Sequence, residues 1–184
     1  FALLPMLLSF FVPALTMRLF SEESKSGSME TLMTLPVNEV HVVTGKYLAS
    51  FLSTLIMISP SIFYVITTAI FGDPDVGPII GGYIGTIFLC AGFTAVGVFA
   101  SSVTKNQIIA FFTGFIICIA LTMIDTFLVF LPSNIVEFVS YISADMHFRS
   151  ITQGIIDSRD LVYFITVFAL FFTATIKVQQ NAKK

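Results

Sequence analysis

The stretch from Ile79 to Val103 reads IIGGYIGTIFLCAGFTAVGVFASSV and contains no charged residue. Its length suits a helix that crosses the hydrocarbon core of a bilayer, which takes about 20 residues. A long unbroken apolar run lacks the alternation of membrane β-barrel strands, and a helix satisfies its own backbone hydrogen bonds in lipid. The stretch therefore predicts a transmembrane helix.

Four further apolar runs flank this one, so we predict five spans, over residues 1–17, 47–71, 79–103, 108–131 and 161–178. The chain has 184 residues, of which 56% are hydrophobic and 11% are charged. Soluble globular proteins carry about 25% charged residues. The composition therefore predicts an all-α membrane protein, a helical bundle with the bilayer as part of its solvent. Lysine and arginine form no clusters, which excludes nucleic-acid binding as a function.

The distribution of lysine and arginine predicts how the bundle is oriented. Seven of the nine basic residues lie in the loops 18–46 and 104–107 or in the C-terminal tail, while Arg149 and Arg159 lie in the remaining loops. Basic residues favour cytoplasmic loops, so we expect the C-terminus in the cytoplasm. The first run then crosses from outside to inside, which is consistent with one further span before residue 1.

Several residues within the runs predict local features of the spans. Tyr47 is expected at the inner membrane border, because amphipathic rings favour the interface. Pro60 predicts a kink in the second span. Gly81 and Gly85 form a pair of small residues four apart, which favours close helix packing.

Catalytic chemistry has no candidate residues in this chain. His41 and His147 fall on opposite predicted sides of the membrane, so they cannot share a metal ion or build one nucleophilic triad. Cys90 and Cys118 lie inside apolar runs, which indicates buried thiols and no disulfide. A glycine-rich phosphate loop ending in Lys-Ser or Lys-Thr is also absent from the sequence. The chain is therefore not expected to be an enzyme.

The first loop, residues 18–46, is patterned more strongly than a plain linker. Met29, Leu32 and Met33 recur at helical spacing and predict a short amphipathic helix over about residues 28–35. The apolar stripe of such a helix either lies on lipid or docks against another subunit. Glu30 shares the helix and is placed for a charged contact with a partner.

The ends of this loop carry helix-terminating and capping signals. Gly27 is suited to end a preceding helix or to permit a sharp turn, and Asn38 is suited to cap the helix that leads into the second span. Glu22 and Glu23 do not suit the negative end of the first span's helix dipole. They are expected to pair with Arg18, to start a new helix, or to face a cationic partner.

These residues together resemble the signature of the type-2 ABC exporter permeases. The signature has paired acids, a Gly-Thr pair, a glutamate, several leucines and a Pro-Val, then a Gly-Lys-aromatic entry to the next span. Its counterparts here are Glu22-Glu23, Gly27-Ser28, Glu30, Leu32, Leu35-Pro36-Val37 and Gly45-Lys46-Tyr47. Ser28 replaces the usual threonine. The C-terminal stretch resembles the gliding-motility permease branch through Phe148, Gly154, Ile155, Asp157, Arg159, Asp160 and Tyr163.

The resemblance implies a six-span membrane domain, of which five spans are visible here, in a bacterial inner membrane. It implies that the helix at 28–35 is a coupling helix that sits in a groove of a separate ATP-binding cassette subunit. The cassette would hold ATP and Mg²⁺, so no cofactor is expected in this chain. A second permease subunit, identical or different, would complete the transporter. The implied coupling residues are Glu22, Glu23, Gly27, Met29, Glu30, Leu32 and Met33.

The fourth loop, residues 132–160, resembles the external re-entrant segment of the same family. Its own pattern predicts two short amphipathic helices that are broken near residues 143–145. They would either form an outer gate over the pathway or simply seal the surface. Gly154 and Asp157 in this loop, and Asp125 in the fourth run, are the candidate pathway or gate residues.

Two other functions remain open from the sequence. An ion-coupled secondary transporter would use Asp125, the one acid inside an apolar run, because carboxylates in membrane spans often serve ion or proton pathways. Alternatively, Asp125 is a hydrogen-bonded residue near the outer surface. A membrane scaffold without transport activity would bind partners through the first loop.

Overall fold

The computed structural model describes residues 1–28, 38–72, 74–127, 140–154 and 157–182. Within these ranges the regular structure is entirely helical. The helices are α1 (Leu4–Thr16), α2 (Ser21–Ser26), α3 (Glu39–Ile58), α4 (Ser61–Phe71), α5 (Val76–Val103), α6 (Gln107–Phe127), α7 (Ala144–Thr152) and α8 (Ser158–Ala182).

Five helical segments of the described chain are long and apolar enough to cross a membrane. They run over Leu4–Ser26, Glu39–Phe71, Val76–Val103, Gln107–Thr126 and Ser158–Asn181. The predicted all-α membrane bundle is therefore confirmed. The predicted coupling helix at 28–35 and residues 132–139 of the fourth loop lie almost wholly or wholly outside the described residues.

Helix α3 begins well before the apolar run that predicts the second span. It starts at Glu39, whereas the apolar run starts at 47. Asn38 caps it, since its side-chain oxygen accepts a hydrogen bond from the Val40 N–H at 3.0 Å, as the sequence predicts. Hydropathy marks only the part of a helix that suits lipid, so a polar first turn escapes it.

The second span is interrupted at Ser59 and Pro60. Proline lacks an N–H and cannot continue the α-helical ladder. Helix α3 accordingly ends at Ile58, and α4 resumes at Ser61 after a turn in which the Ser59 N–H bonds the Leu55 carbonyl at 3.0 Å. The kink predicted from Pro60 is thus present as a break between two helices.

Helix α5 is the centre of the bundle. It packs against α1, α3, α6, α7 and α8, and 72% of its most apolar window is buried, compared with 6% in the α3–α4 span. Helix α4 has no buried residue. Long apolar side chains on α4 therefore face outward, as expected for a surface in contact with lipid.

Glycines on α5 let neighbouring segments approach its backbone. A Cβ at Gly97 would overlap Thr16 Oγ1 of α1, and a Cβ at Gly81 would overlap the Ile151 carbonyl oxygen of α7. A Cβ at Gly85 would stand 3.3 Å from the Phe148 ring of α7. The pair at 81 and 85 does mediate close packing, but its partner is the short helix α7 and not another span.

Tyr47 is packed inside the bundle, and its predicted position at the inner membrane border stays a prediction. It is 7% exposed, and its hydroxyl donates to the Ala91 carbonyl of α5 at 3.1 Å. The ring stacks on Phe51 and meets the edges of Phe168 and Phe172. Its amphipathic character is satisfied inside the bundle, because these phenylalanines surround the ring and α5 supplies a hydrogen-bond acceptor.

We expect Gly81→Ala to lower the unfolding temperature in detergent, because the new methyl group would force α7 away from α5. Overpacking of this kind costs about 1–3 kcal/mol. Gly77→Ala is the matched control on the same helix, since a Cβ there meets nothing within 4 Å. Equal unfolding temperatures for the two variants would contradict the tight contact between α5 and α7.

Candidate functional site

The two acids of the first loop lie in a short helix of their own. Helix α2 carries Glu22 and Glu23 in its first turn, where carboxylates interact favourably with the helix dipole. Gly27 ends α2 with φ of 76°, the left-handed conformation that glycine adopts most readily. Of the expectations for the acids, the start of a new helix is the one observed, and Gly27 terminates that helix as predicted.

Lys46 of α3 fastens α2 and α3 to each other. Its ammonium group forms an ion pair with Glu23 and donates a hydrogen bond to the Leu19 carbonyl. It also lies 4.3 Å from the centroid of the Phe20 ring, a favourable position for a cation over an aromatic face. Glu23 therefore pairs with Lys46, and Glu22 is the exposed member of the acidic pair.

Ser101 of α5 holds the corner between α1 and α2. Its hydroxyl accepts hydrogen bonds from the N–H groups of Phe20 and Ser21, at 3.0 and 3.2 Å, and donates to the Met17 carbonyl at 2.9 Å. A serine hydroxyl has one donor and two acceptor positions, so all three are used. The side chain is fully buried, and no local sequence pattern marks its role.

Together these contacts form what we call the loop junction, defined by Phe20, Ser21, Glu23, Lys46 and Ser101. The predicted coupling helix is the segment that leaves α2 and returns to α3. Its residues Met29, Glu30, Leu32 and Met33 lie outside the described residues. The junction ties α2, which precedes that segment, to α3, which follows it.

At the opposite end of α5, helix α7 inserts its apolar face into the bundle. Ser143 caps it by accepting a hydrogen bond from the Met146 N–H at 3.3 Å, and the break predicted near 143–145 lies at this cap. Phe148 and Ile151 are fully buried. Helix α7 is thus part of the packed core and not only a cover for the surface.

Gly154 and Asp157, two of the predicted gate residues, shape the connection between α7 and α8. Gly154 has φ of 84°, a left-handed conformation just after the end of α7. The Asp157 carboxylate accepts a hydrogen bond from the Arg159 N–H at 3.1 Å, the geometry of a helix N-cap. Each therefore has a conformational role, and a role in a gate stays a prediction.

Asp125, the third predicted pathway residue, borders a cavity of about 190 Å³. Asp145 and Arg149 of α7 line the same cavity and form an ion pair at 2.6 Å. Burial raises the pKa of the Asp145 carboxyl, and the charge of Asp125 raises it further, while Arg149 opposes both effects. The charge of Asp125 therefore disfavours the charged form of the Asp145 carboxyl.

His147 and Asp160 form a pair that no local sequence pattern predicts, because the two residues are separated along the chain. The His147 Nδ1 lies 2.6 Å from an Asp160 carboxylate oxygen, and Nε2 lies 3.1 Å from the Tyr141 carbonyl. A carbonyl oxygen only accepts, so the ring donates to Tyr141 through Nε2. Tyr163 stacks on the ring at 4.4 Å.

This cluster ties the segment before α7 to α8. The Tyr163 hydroxyl donates to the Ile142 carbonyl at 2.6 Å, next to the carbonyl that His147 binds. Asp160 is 6% exposed, and its other carboxylate oxygen has no hydrogen-bond partner among the described residues. His147 therefore supplies the principal stabilisation of that buried carboxylate.

Comparison with known families matches the sequence model of the ABC-2 family transporter proteins to residues 1–177. The match covers nearly the whole chain. The chain belongs to the ABC-2 transporter family. A search of curated proteins and a search of solved structures found no match.

Membership in the ABC-2 family makes this chain a membrane permease subunit of an ABC transporter, a class that works with an ATP-binding cassette subunit. Within the described residues, no group of three or more histidine, cysteine or acidic side chains is arranged to hold a metal ion. Cys90 and Cys118 are both buried free thiols, as predicted.

We expect Asp125→Asn to flatten the pH dependence of thermal unfolding in the acidic range. The pKa of Asp145 is raised in the folded state. The folded protein therefore gains stability as the pH falls from that raised pKa toward the ordinary value of 3.8. Removing the charge of Asp125 removes part of the rise. The measurement is the unfolding temperature in detergent as a function of pH.

The control for this prediction is Asp75→Asn, which removes an exposed acid just before α5. Its pH profile should follow that of the unmodified protein. A profile for Asp125→Asn that also follows the unmodified protein would contradict the electrostatic link between Asp125 and Asp145.

Proposed function

We propose that this chain is the permease of an ABC exporter and couples ATP hydrolysis by a separate cassette subunit to substrate movement across the membrane. The observation that carries the proposal is the match of the ABC-2 family to residues 1–177. The loop junction adds a physical reason, because it joins the two helices that flank the segment expected to meet the cassette.

The cassette would dock on the first loop, and the coupling surface would comprise Glu22, Glu23, Gly27, Met29, Glu30, Leu32 and Met33. Two described features support this placement. Glu22 is exposed on α2, available to a basic partner surface. Glu23 is instead paired with Lys46, so its contribution would be to orient α2 beneath the cassette.

The remaining features of the proposal follow the resemblance and the charge distribution. The loops 18–46 and 104–107 and the C-terminus face the cytoplasm, in agreement with seven of the nine basic residues. A second permease subunit completes the transporter, and substrate passes at the interface of the two. The protein lies in a bacterial inner membrane, and its closest subfamily is the gliding-motility branch.

Gly154, Asp157 and Asp125 would act at the outer end of the pathway. The support for an outer gate is that α7 is held by separate contacts, to α5 through Gly81 and to α8 through His147 and Asp160. A short helix packed between two spans shifts when those spans move relative to each other.

The test is co-purification of the full-length protein with its cassette ATPase in nanodiscs, using Glu30→Lys as the variant. We expect the unmodified protein to form a stable complex and the variant to bind the cassette subunit at least about tenfold more weakly, since reversing a charge in a docked pair costs several kcal/mol. Asp75→Lys makes the same charge change at the opposite end of α5 and should leave the complex intact.

Each other outcome has a definite meaning. A complex that survives Glu30→Lys would remove Glu30 from the coupling surface but retain the permease function. Absence of a complex with any cassette subunit, for a well-folded protein, would favour the ion-coupled carrier that uses Asp125. That carrier would transport without ATP hydrolysis and would fail with Asp125→Asn.

A further inference from the structure

The loop junction lies at one end of α5, and the docking site of α7 lies at the other. Ser101 marks the first end, through its hydrogen bonds to the α1–α2 corner. Gly81 and Gly85 mark the second, through their close contacts with α7. The 20 residues between Gly81 and Ser101 span about 30 Å at roughly 1.5 Å per residue, which is the thickness of a bilayer core.

The contacts at the loop junction are short and buried. At the loop junction, the Ser101 hydroxyl is saturated with hydrogen bonds and fully buried. Beside it, a Cβ at Gly97 would overlap Thr16, so the α1 end lies directly against the α5 backbone. A displacement of the α1–α2 corner therefore reaches α5 through two short and buried side chains, Ser101 and Thr16.

Helix α3 is attached to the same point. Lys46 pairs with Glu23 of α2 and binds the Leu19 carbonyl of the corner, and Tyr47 donates to the Ala91 carbonyl of α5. Helices α2 and α3 are thus joined to each other by an ion pair, and α3 is joined to α5 by a hydrogen bond. These contacts are a route by which a displacement of either helix can reach α5.

We propose that Ser101 and Lys46 are positioning residues that pass cassette movement to α5, and that α5 carries it as a rigid rod to α7. The proposal rests on the proposed function, since it takes the first loop as the cassette contact. It adds the residues that receive the movement inside the bundle and the outer segment that responds to it.

The experiment uses the full-length protein with its cassette subunit in nanodiscs and a reporter thiol made by Met146→Cys. Met146 is 46% exposed on α7, whereas Cys90 and Cys118 are 0% exposed, so the native thiols should add little background. The readout is the rate of maleimide labelling with and without ATP plus vanadate. We expect ATP plus vanadate to change this rate about fivefold or more, the lower end of typical coupling between sites.

Ser101→Ala in the reporter background should abolish this change while cassette binding and ATP hydrolysis persist. Ser102→Ala is the matched control, because it makes the same substitution one position away and its hydroxyl bonds only the Phe99 carbonyl of its own helix. It should retain the full response. A merely structural role of Ser101 would reduce cassette binding as well and would not separate the two readouts.

Lys46 provides a second route if Ser101→Ala does not fold. Lys46→Met keeps the apolar stem but loses the donors and should lose the response, whereas Lys46→Arg keeps the charge and should retain most of it. Equal responses in Lys46→Met and Lys46→Arg would overturn the role of Lys46.

Two results overturn the inference without touching the proposed function. One is a complex in which Ser101→Ala responds as strongly as Ser102→Ala, and the other is a complex whose reporter never responds to ATP plus vanadate. Absence of any cassette complex with the unmodified protein overturns the proposed function, and this inference with it.

Discussion

Close backbone approach between helices is the constraint on which the rest of this structure depends. Inside a bilayer, apolar side chains gain little by leaving lipid for one another, so helices associate through packing and hydrogen bonds. Helix α5 meets this requirement with Gly97 against Thr16 and Gly81 against Ile151. These contacts place the α1–α2 corner and α7 on one helix, and both candidate sites are built on them.

The polar groups of the bundle follow the same constraint, because unsatisfied backbone groups are costly where water is absent. The α1–α2 corner breaks the helical ladder, and Ser101 hydrogen-bonds the N–H and C=O groups that the break leaves without helical partners. In the segment before α7, His147 and Tyr163 likewise hydrogen-bond the carbonyls of Tyr141 and Ile142. The two irregular connections are therefore held by side chains from other helices, which also makes them the points where one helix can act on another.

The sequence predicts those parts of the structure that local signals control. Unbroken apolar runs predict the membrane bundle, Asn38 and Gly27 mark helix ends through their own backbone preferences, and Pro60 marks a break. Contacts between distant residues leave no such signal. Nothing in the sequence distinguishes Ser101 from other serines, and only the fold brings its hydroxyl to the Phe20 N–H. Likewise, only the fold places the Tyr47 hydroxyl at the Ala91 carbonyl of α5. The His147–Asp160 pair is hidden for the same reason.

The central position of α5 also sets the order in which the protein can assemble. Membrane segments enter the bilayer in chain order during synthesis. Helices α1 and α3 both pack against α5, yet they are made before it, and the α3–α4 span has only 6% of its most apolar window buried in the finished bundle. The early segments therefore lack much of their final packing until α5 is inserted. Assembly of the bundle thus depends on the arrival of this one helix.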